Sequence, residues 1–430
     1  MHRPRFRLLV LALVASASCL AQSLQLTPVA ADGVFPRDQP IAWTVTVVGD
    51  AAALGNPRYQ IKLNGSKVIA EGTLDLTQPQ IRIEAKPLSE PGTLLAEALT
   101  TDAANKTTKA LGGAVVEPEK IHTVITRPAD FDDFWKAQLD ALAAVPVNVV
   151  LTAGESGHPD VEYFKVTFDN VDGAKIHAQM ARPKKEGKFP AVVSTQWAGV
   201  YALNKSSVVT NAAQGWLAIN VMAHDLPIDE KPEFYKAADA GALKDYSHIG
   251  NRRRETSYFR RMFLGNNRAA AYLAARPDWD GKTLVASGGS QGGYQSIVLA
   301  ALEPRITAVI ASIPAGCEIT ASVHGRANGW PGWWLPPDPA AREATIETSR
   351  YYDAVNFAPR VRVPVLVGLG LIDTTCPPTG VFAMTNQLAG PKEVVIHSTL
   401  GHKGPHPAHN KRSNAWMKAL ASGQPVPAKP

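Results

Sequence analysis

Two hydrophobic periodicities divide the chain. Between Gln22 and Val116, short alternations of apolar and polar residues recur as AWTVTVV, RYQIKLNG, KVIAEGTL, QIRIEA and TLLAEALTT, punctuated by Asn-Gly, Gly-Asp and Pro-Gly. A period of two at this spacing predicts half-buried strands, and residues 22–116 are expected to form a small antiparallel β-sandwich. The following segment, VVEPEKIHTVITRPADF, carries two prolines and mixed charge and reads as a linker that also packs as an edge strand.

From residue 117 to 430 the pattern changes. ADFDDFWKAQLDALAA puts Phe131, Phe134, Trp135, Leu139 and Leu142 on one helical stripe, with Asp130 placed to cap and Asp133 in the first turn. Beyond it, VEYFKVTFD, AKIHAQMAR, FPAVVST, WLAINVMA, KTLVASG, ITAVIAS, PVLVGLGL and EVVIHS read as strands, with helices near 258–275, 291–303, 378–389 and 409–421. Nearly continuous apolar strands separated by helices predict a doubly wound, mostly parallel α/β sheet covered on both faces. The first two strands alternate more clearly and predict an antiparallel edge hairpin around Val171-Asp172-Gly173. No internal repeat interrupts this order.

The first 21 residues follow neither pattern. Arg3, Arg5 and Arg7 precede an apolar run from Leu8 to Val14 and then small residues, as in an export signal cleaved after Ala21 or Ala17. The apolar run is too short to span a bilayer, so no membrane span is expected and a secreted or periplasmic protein is. Removing residues 1–21 takes three arginines and no acid, lowering the formal net charge from +6 to +3. That excess does not argue for nucleic acid, and the run Arg252-Arg253-Arg254 with Arg260 and Arg261 reads as a solvated helix face. Export also leaves Cys317 and Cys376, which are enough for one disulfide but not for a disulfide scaffold.

Between the strand KTLVA and the helix QSIVLAALE lies Gly288-Gly289-Ser290-Gln291-Gly292, a match to G-x-S-x-G. In that turn a strained strand-to-helix junction exposes a nucleophile, here Ser290; neither phosphate-binding glycine pattern is present. A serine hydroxyl needs a base, and the base an orienting acid, in the chain order Ser, acid, His, on loops beyond strand ends. Asp373 follows PVLVGLGL and His402 follows EVVIHS, so both meet that condition. Asp353 and Glu318 are rival acids, and His397 lies within a strand pattern. His402, His406 and His409 have spacings that suit an ion, but Gly404, Pro405 and Pro407 break the helix that would present them, and no metal is expected. The N–H of Gln291 and an amide of the loop Gln196-Trp197-Ala198 are the oxyanion donors expected beside Ser290. Trp330, Trp333 and Trp334 in GWPGWW suit stacking on a sugar or packing of an inserted cap.

ADFDDFW, DGAKIH, SYFRRMFLGNNRAAAYL, SGGSQGG, LEPRITAVIASIP, GLGLIDTTCPP and AGPKEVVIHS, taken together over about residues 125–410, resemble the acetyl xylan esterases and cephalosporin C deacetylases of carbohydrate esterase family seven. The resemblance implies an α/β-hydrolase fold, no cofactor, an acetylated carbohydrate as substrate, a homo-oligomer among the allowed assemblies, and the triad Ser290, Asp373 and His402 with Gln291 as an oxyanion donor. The chain departs from the family in reading VMAHDLPID where Arg-Gly-Gln is usual, and His402-Lys403 where His-Glu is usual. A secreted serine esterase that removes acetyl groups through an acyl-enzyme is therefore expected. A peptidase or longer-chain carboxylesterase on the same fold and a non-catalytic sugar-binding protein are the alternatives.

Overall fold

A computed structural model of the chain describes residues 23–55, 57–78, 80–101 and 107–429; the export segment expected over residues 1–21 lies outside the described residues. Among these, β1 (Ser23–Pro28), β2 (Val34–Phe35), β3 (Ile41–Val48), β4 (Arg58–Leu63), β5 (Lys67–Thr73), β6 (Ile81–Ala85), β7 (Gly92–Thr101) and β8 (Thr107–Val116) form two sheets, ordered β1-β3-β6 and β2-β8-β7-β4-β5. Alternate residues from both sheets, Leu26, Trp43, Ile61, Ile83, Leu94 and Val116 among them, share one core, as period-two patterning requires. The pairing is antiparallel except that β2 runs parallel to β8. Two residues are too few to leave a periodic signal, which is why β2 has no trace in the sequence pattern. Beyond Val116 the chain makes a short 3-10 turn, Pro118–Lys120, and pairs with no sheet before the first α-helix. The edge strand expected there is not formed; Ile121 and Ile125 instead bury their side chains, and Asn386 Nδ2 donates to the carbonyls of Pro118 and Ile121.

That helix, α1 (Phe131–Ala144), buries Phe131, Phe134, Trp135 and Leu142. Asp130 sits at its N-cap without capping it, because the Asp130 carboxylate is engaged by Arg254 and by the Tyr351 hydroxyl. Arg254 also lies over the rings of Phe134 and Tyr351, and Arg260 bonds Asp172 and Gln138, so these arginines brace neighbouring elements.

The third sheet contains β9 (Val150–Gly154), β10 (Val161–Asp169), β11 (Lys175–Pro183), β12 (Phe189–Thr195), β13 (Leu217–Val221), β14 (Trp279–Gly289), β15 (Ala308–Ser312), β16 (Val365–Gly370) and β17 (Lys392–His397). Their order is β17-β16-β15-β14-β12-β13-β11-β10-β9. The run from β17 to β13 is parallel, and β11, β10 and β9 are antiparallel. The β10–β11 hairpin turns at Val171–Gly173 but lies one strand in from the edge; the edge is β9, whose five residues are all exposed and show no apolar–polar contrast.

Helices α2 (Ser206–Ala213), α3 (Pro232–Ala240), α4 (Tyr258–Ala275), α5 (Gln291–Leu302), α6 (Pro339–Tyr352), α7 (Ala354–Phe357), α8 (Pro378–Gln387) and α9 (Pro407–Ala421) complete the order. Successive strand residues face opposite ways: Leu284 and Ala286 join the core with α4 and α5, whereas Val285 joins Trp216 and Trp416 beneath α2 and α9. The sheet is thus wound on both faces. Strand order reverses between β12 and β14, and the crevice at their carboxyl ends is where such sheets place ligands. No helix of the described residues is long and apolar enough to cross a membrane.

Candidate functional site

Ser290 occupies the turn between β14 and α5 with φ 53° and ψ −121°, a conformation that non-glycine residues adopt only when the surroundings impose it. Its N–H donates to Ser312 O, and its carbonyl accepts from the N–H groups of Tyr294 and Ala315. The flanking glycines are needed for space: a Cβ on Gly288 would lie 2.4 Å from Thr195 Oγ1, and one on Gly292 2.5 Å from Thr195 O.

The loops beyond β16 and β17 converge on this turn. Ser290 Oγ lies 2.9 Å from His402 Nε2, and His402 Nδ1 lies 2.8 Å from Asp373 Oδ2. Since a carboxylate only accepts, Nδ1 carries the proton and Nε2 is the acceptor for the serine hydroxyl. The second oxygen, Asp373 Oδ1, accepts the N–H groups of Thr375 and Cys376, each at 2.8 Å. Asp373 is 3% exposed, so its orientation is fixed by its own loop rather than by water.

The loop after β12 is held differently. Gln291 Nε2 reaches the carbonyls of Gln196 and Trp197, Gln295 Nε2 donates to Gln196 O at 2.9 Å, and Gln196 Oε1 accepts the N–H of Ala223. Tyr246 OH donates to Gln291 Oε1 at 2.6 Å and accepts from Gly199 N. Behind it, His224 Nε2 faces Gly199 O at 3.0 Å and Nδ1 faces Tyr258 OH at 2.6 Å; a carbonyl only accepts, so Nε2 carries a proton, and the neutral ring is the Nε2–H tautomer. Burial pushes the His224 pKa down to about 4, in keeping with that neutral ring. The loop 196–199, which carries Trp197 and Ala198, is therefore crosslinked to Gln291, the residue after Ser290. The exposed Trp197 indole stands over the end of β14, its Nε1 3.2 Å from where a Cβ on Gly289 would be.

The three tryptophans of GWPGWW do not act together. Trp333 is fully buried with its N–H donated to Ser247 O, so it offers no face to a sugar, and the expectation for it is corrected. Trp330 is partly buried and packs against Tyr246 and Phe259. Trp334 is exposed. Asp353, the rival acid, is fully buried and accepts the backbone N–H groups of Glu318, Ile319 and Val355; burial pushes its carboxyl up to about 7. Glu318 is bound by Val124 N and Arg326.

Cys317 and Cys376 are both free and buried. Burial pushes both thiols well up, and Cys376 has Ser290 and Asp373 as neighbours, which strand-end reasoning did not bring into the site. Asp373, Cys376 and His402 bring ligand atoms within 4.8 Å of one another, a donor set that suits a soft divalent ion. Both His402 nitrogens and both Asp373 oxygens are, however, occupied by the hydrogen bonds described above. His406 Nε2 pairs with Gly401 O, His397 packs edge-on against His406, and His409 is buried under Gly368.

Similarity to known proteins points the same way as this geometry. The family model described as acetyl xylan esterase (AXE1) matches residues 118–420. The curated acetyl esterase Axe7A of Xylanibacter ruminicola is 30% identical over 342 residues, covering 79% of this chain and 77% of that protein. The solved acetyl xylan esterase from Paenibacillus sp. R4 is 26% identical with a TM-score of 0.61, covering 70% of this chain and 98% of its own. Acetyl xylan esterase 1 from Thermoanaerobacterium sp. JW/SL YS485, at 23% identity and TM-score 0.58 over 71% of this chain and 98% of its own, shares the fold.

Proposed function

The chain belongs to the acetyl xylan esterase family, and from that membership we propose that it is a secreted serine esterase that deacetylates xylan or related oligosaccharides with Ser290, Asp373 and His402 as its catalytic triad. The observation that carries the assignment is the continuous chain from Ser290 Oγ through His402 to Asp373, with both hydrogen bonds under 3 Å and the serine on a strained turn.

His402 Nε2 takes the hydroxyl proton as Ser290 Oγ bonds to the acetyl carbon, and Asp373 stabilises the imidazolium that forms. The negative charge moves onto the former carbonyl oxygen, where Gln291 N–H and an amide of Trp197 or Ala198 receive it. The dipole of α5, whose first residue is Gln291, adds to that stabilisation. The carbon–oxygen bond to the sugar then breaks, and its oxygen leaves with the proton from His402. Water, deprotonated by the same nitrogen, splits the acetyl-serine and restores Oγ–H. Trp334 and Trp197 are the exposed rings on which a glycan would stack.

Export is supported by the arginine-led apolar run at residues 3–14 followed by small residues. The test is acetate release, read by mass spectrometry, from a panel of acetylated polysaccharides, together with fluorophosphonate labelling. Ser290→Ala is expected to abolish both. Activity that persists in that variant would overturn the assignment.

A further inference from the structure

The loops carrying Asp373 and His402 do not rest on the nine-stranded sheet alone. Leu371, two residues before Asp373, fits into a notch in the N-terminal module. A Cβ on Gly113 of β8 would lie 2.4 Å from Leu371 Cβ and 2.6 Å from its carbonyl carbon and oxygen. A Cβ on Gly33, whose φ is 72°, would lie 2.5 Å from Leu371 Cδ1. Leu371 therefore fits only because both positions lack a side chain. On the other side of Asp373, the buried Thr379 hydroxyl in α8 hydrogen-bonds the buried Thr93 hydroxyl in β7. The base loop is tied as well: Ser398, the residue after β17, donates its hydroxyl to Ala31 O at 2.9 Å. Between these ties a cavity of about 260 Å³ has Asp373 and Thr374 on one wall and Lys62, Glu97 and Lys109 of the module on the other.

We propose that the N-terminal β-module forms a wall of the catalytic site, with Gly113, Gly33 and Thr93 as positioning residues that set where Asp373, and through it the His402 imidazole, stands. The proposal rests on Ser290, Asp373 and His402 being the triad. Its physical basis is an asymmetry of stiffness. Gly113 lies in a strand paired along its length to β7, and its carbonyl accepts Trp43 Nε1 at 3.1 Å, so β8 resists displacement. The atoms facing it in Leu371 include backbone, which cannot rotate aside as a side-chain tip can. A methyl group at 113 must therefore push the Leu371–Asp373 segment, and a misplacement of about 1 Å at a catalytic group costs on the order of a hundredfold in rate. The family match begins at residue 118, so these ties come from a part of the chain outside the matched region.

The test uses the full chain with Gly113→Ala, Thr93→Val, the conservative Thr93→Ser, and Ser290→Ala as a control. It reads kcat and KM on an aryl acetate, the melting temperature, and the downfield proton NMR signal of His402 Nδ1–H in its bond to Asp373. Gly113→Ala should lower kcat about tenfold or more with KM little changed, and should move the downfield signal. Thr93→Val should do the same more weakly, with Thr93→Ser restoring the wild-type values. If Gly113→Ala does not fold, Thr93→Val decides by the same readouts. Folded variants that lose melting temperature but keep wild-type kcat and an unmoved signal overturn the proposal. Should Ser290→Ala keep its activity, the triad assignment itself fails, whatever the module variants do.

Discussion

The two sides of Ser290, the proposed nucleophile, are built from different materials. On the acid–base side, Asp373 is held by backbone: the N–H groups of Thr375 and Cys376 bind one oxygen, and Ile372 N pairs with Leu400 O so that the two loops share a hydrogen bond. On the side of the proposed oxyanion donors, the loop 196–201 is held by side chains, Gln291, Gln295, Tyr246 and His224, each reaching a main-chain group. Backbone ties survive most substitutions in their own loop, because every residue but proline supplies the N–H. Side-chain ties fail one residue at a time, and each failure strands a buried polar partner. The acid–base side should therefore be sensitive to the triad groups themselves and to what presses on their loops, whereas the oxyanion side should be sensitive to residues that never touch substrate.

The strongest test of that contrast is Asp373→Asn. The amide can still accept from Thr375 and Cys376, so the loop should keep its shape while the imidazole loses the acceptor that fixes its tautomer. Turnover should fall by about ten-thousandfold with little change in melting temperature. Stopped assays on an aryl acetate, paired with thermal unfolding, read both; a large loss of stability would show that the carboxylate, not the backbone, holds the loop.

Next in size comes Tyr246→Phe. The ring remains, but Gln291 Oε1 loses its donor and Gly199 N its acceptor, both next to the loop that carries Trp197 and Ala198. Each unpaired buried group costs about 1–3 kcal/mol, and loosening one oxyanion donor lowers kcat by up to about a hundredfold. KM for a short ester should hardly move. Wild-type kcat in a folded variant would mean that the loop keeps its place without the side-chain frame.

The same contrast explains what the sequence could and could not reveal. Ser290, Asp373 and His402 each follow an apolar strand, and chain order together with strand ends singles them out from one sequence. The frame around the oxyanion loop has no such signal. Tyr246 lies in a short 3-10 turn and His224 in VMAHDLPID, and nothing in their spacing says that both face Gly199. What could have drawn attention to His224 is that VMAHDLPID departs from the motif the family resemblance leads one to expect there; in the structure its histidine is buried against Gly199 and Tyr258. The two readings left open for the tryptophans divide between them for a related reason: three tryptophans in six residues look alike in sequence, yet a tight turn sends Trp333 into the core, where it packs, and Trp334 to solvent. In the N-terminal module, period-two runs mark the longer strands, whereas β2 there and the exposed β9 of the nine-stranded sheet are too short or too uniform to register. The glycines at 33 and 113 carry no signal in the sequence, and only the packing of Leu371 against them gives them a role.

A smaller effect separates the two sides by stability rather than rate. His409 lies behind β16, 2% exposed, with neither ring nitrogen partnered among the described residues, and burial with His397 and His406 nearby pushes its pKa down to about 4. His224, on the oxyanion side, is pushed to about 4 by burial as well. Each ring stays neutral in the folded protein down to that value, while in the unfolded chain it takes up a proton below about 6.5. The unfolded state thus binds more protons between about pH 6.5 and 4. The stability these neutral rings provide is complete above that window and is lost as pH falls through it, by at most about 3 kcal/mol for each ring. His409→Leu removes one of the two groups without touching the oxyanion frame. Urea unfolding at pH 7 and pH 5 should show a shallower acid loss in that variant, with kcat at pH 7 unchanged. An equally steep loss would assign the acid sensitivity to the His224 side, where melting of the frame and loss of turnover should then coincide.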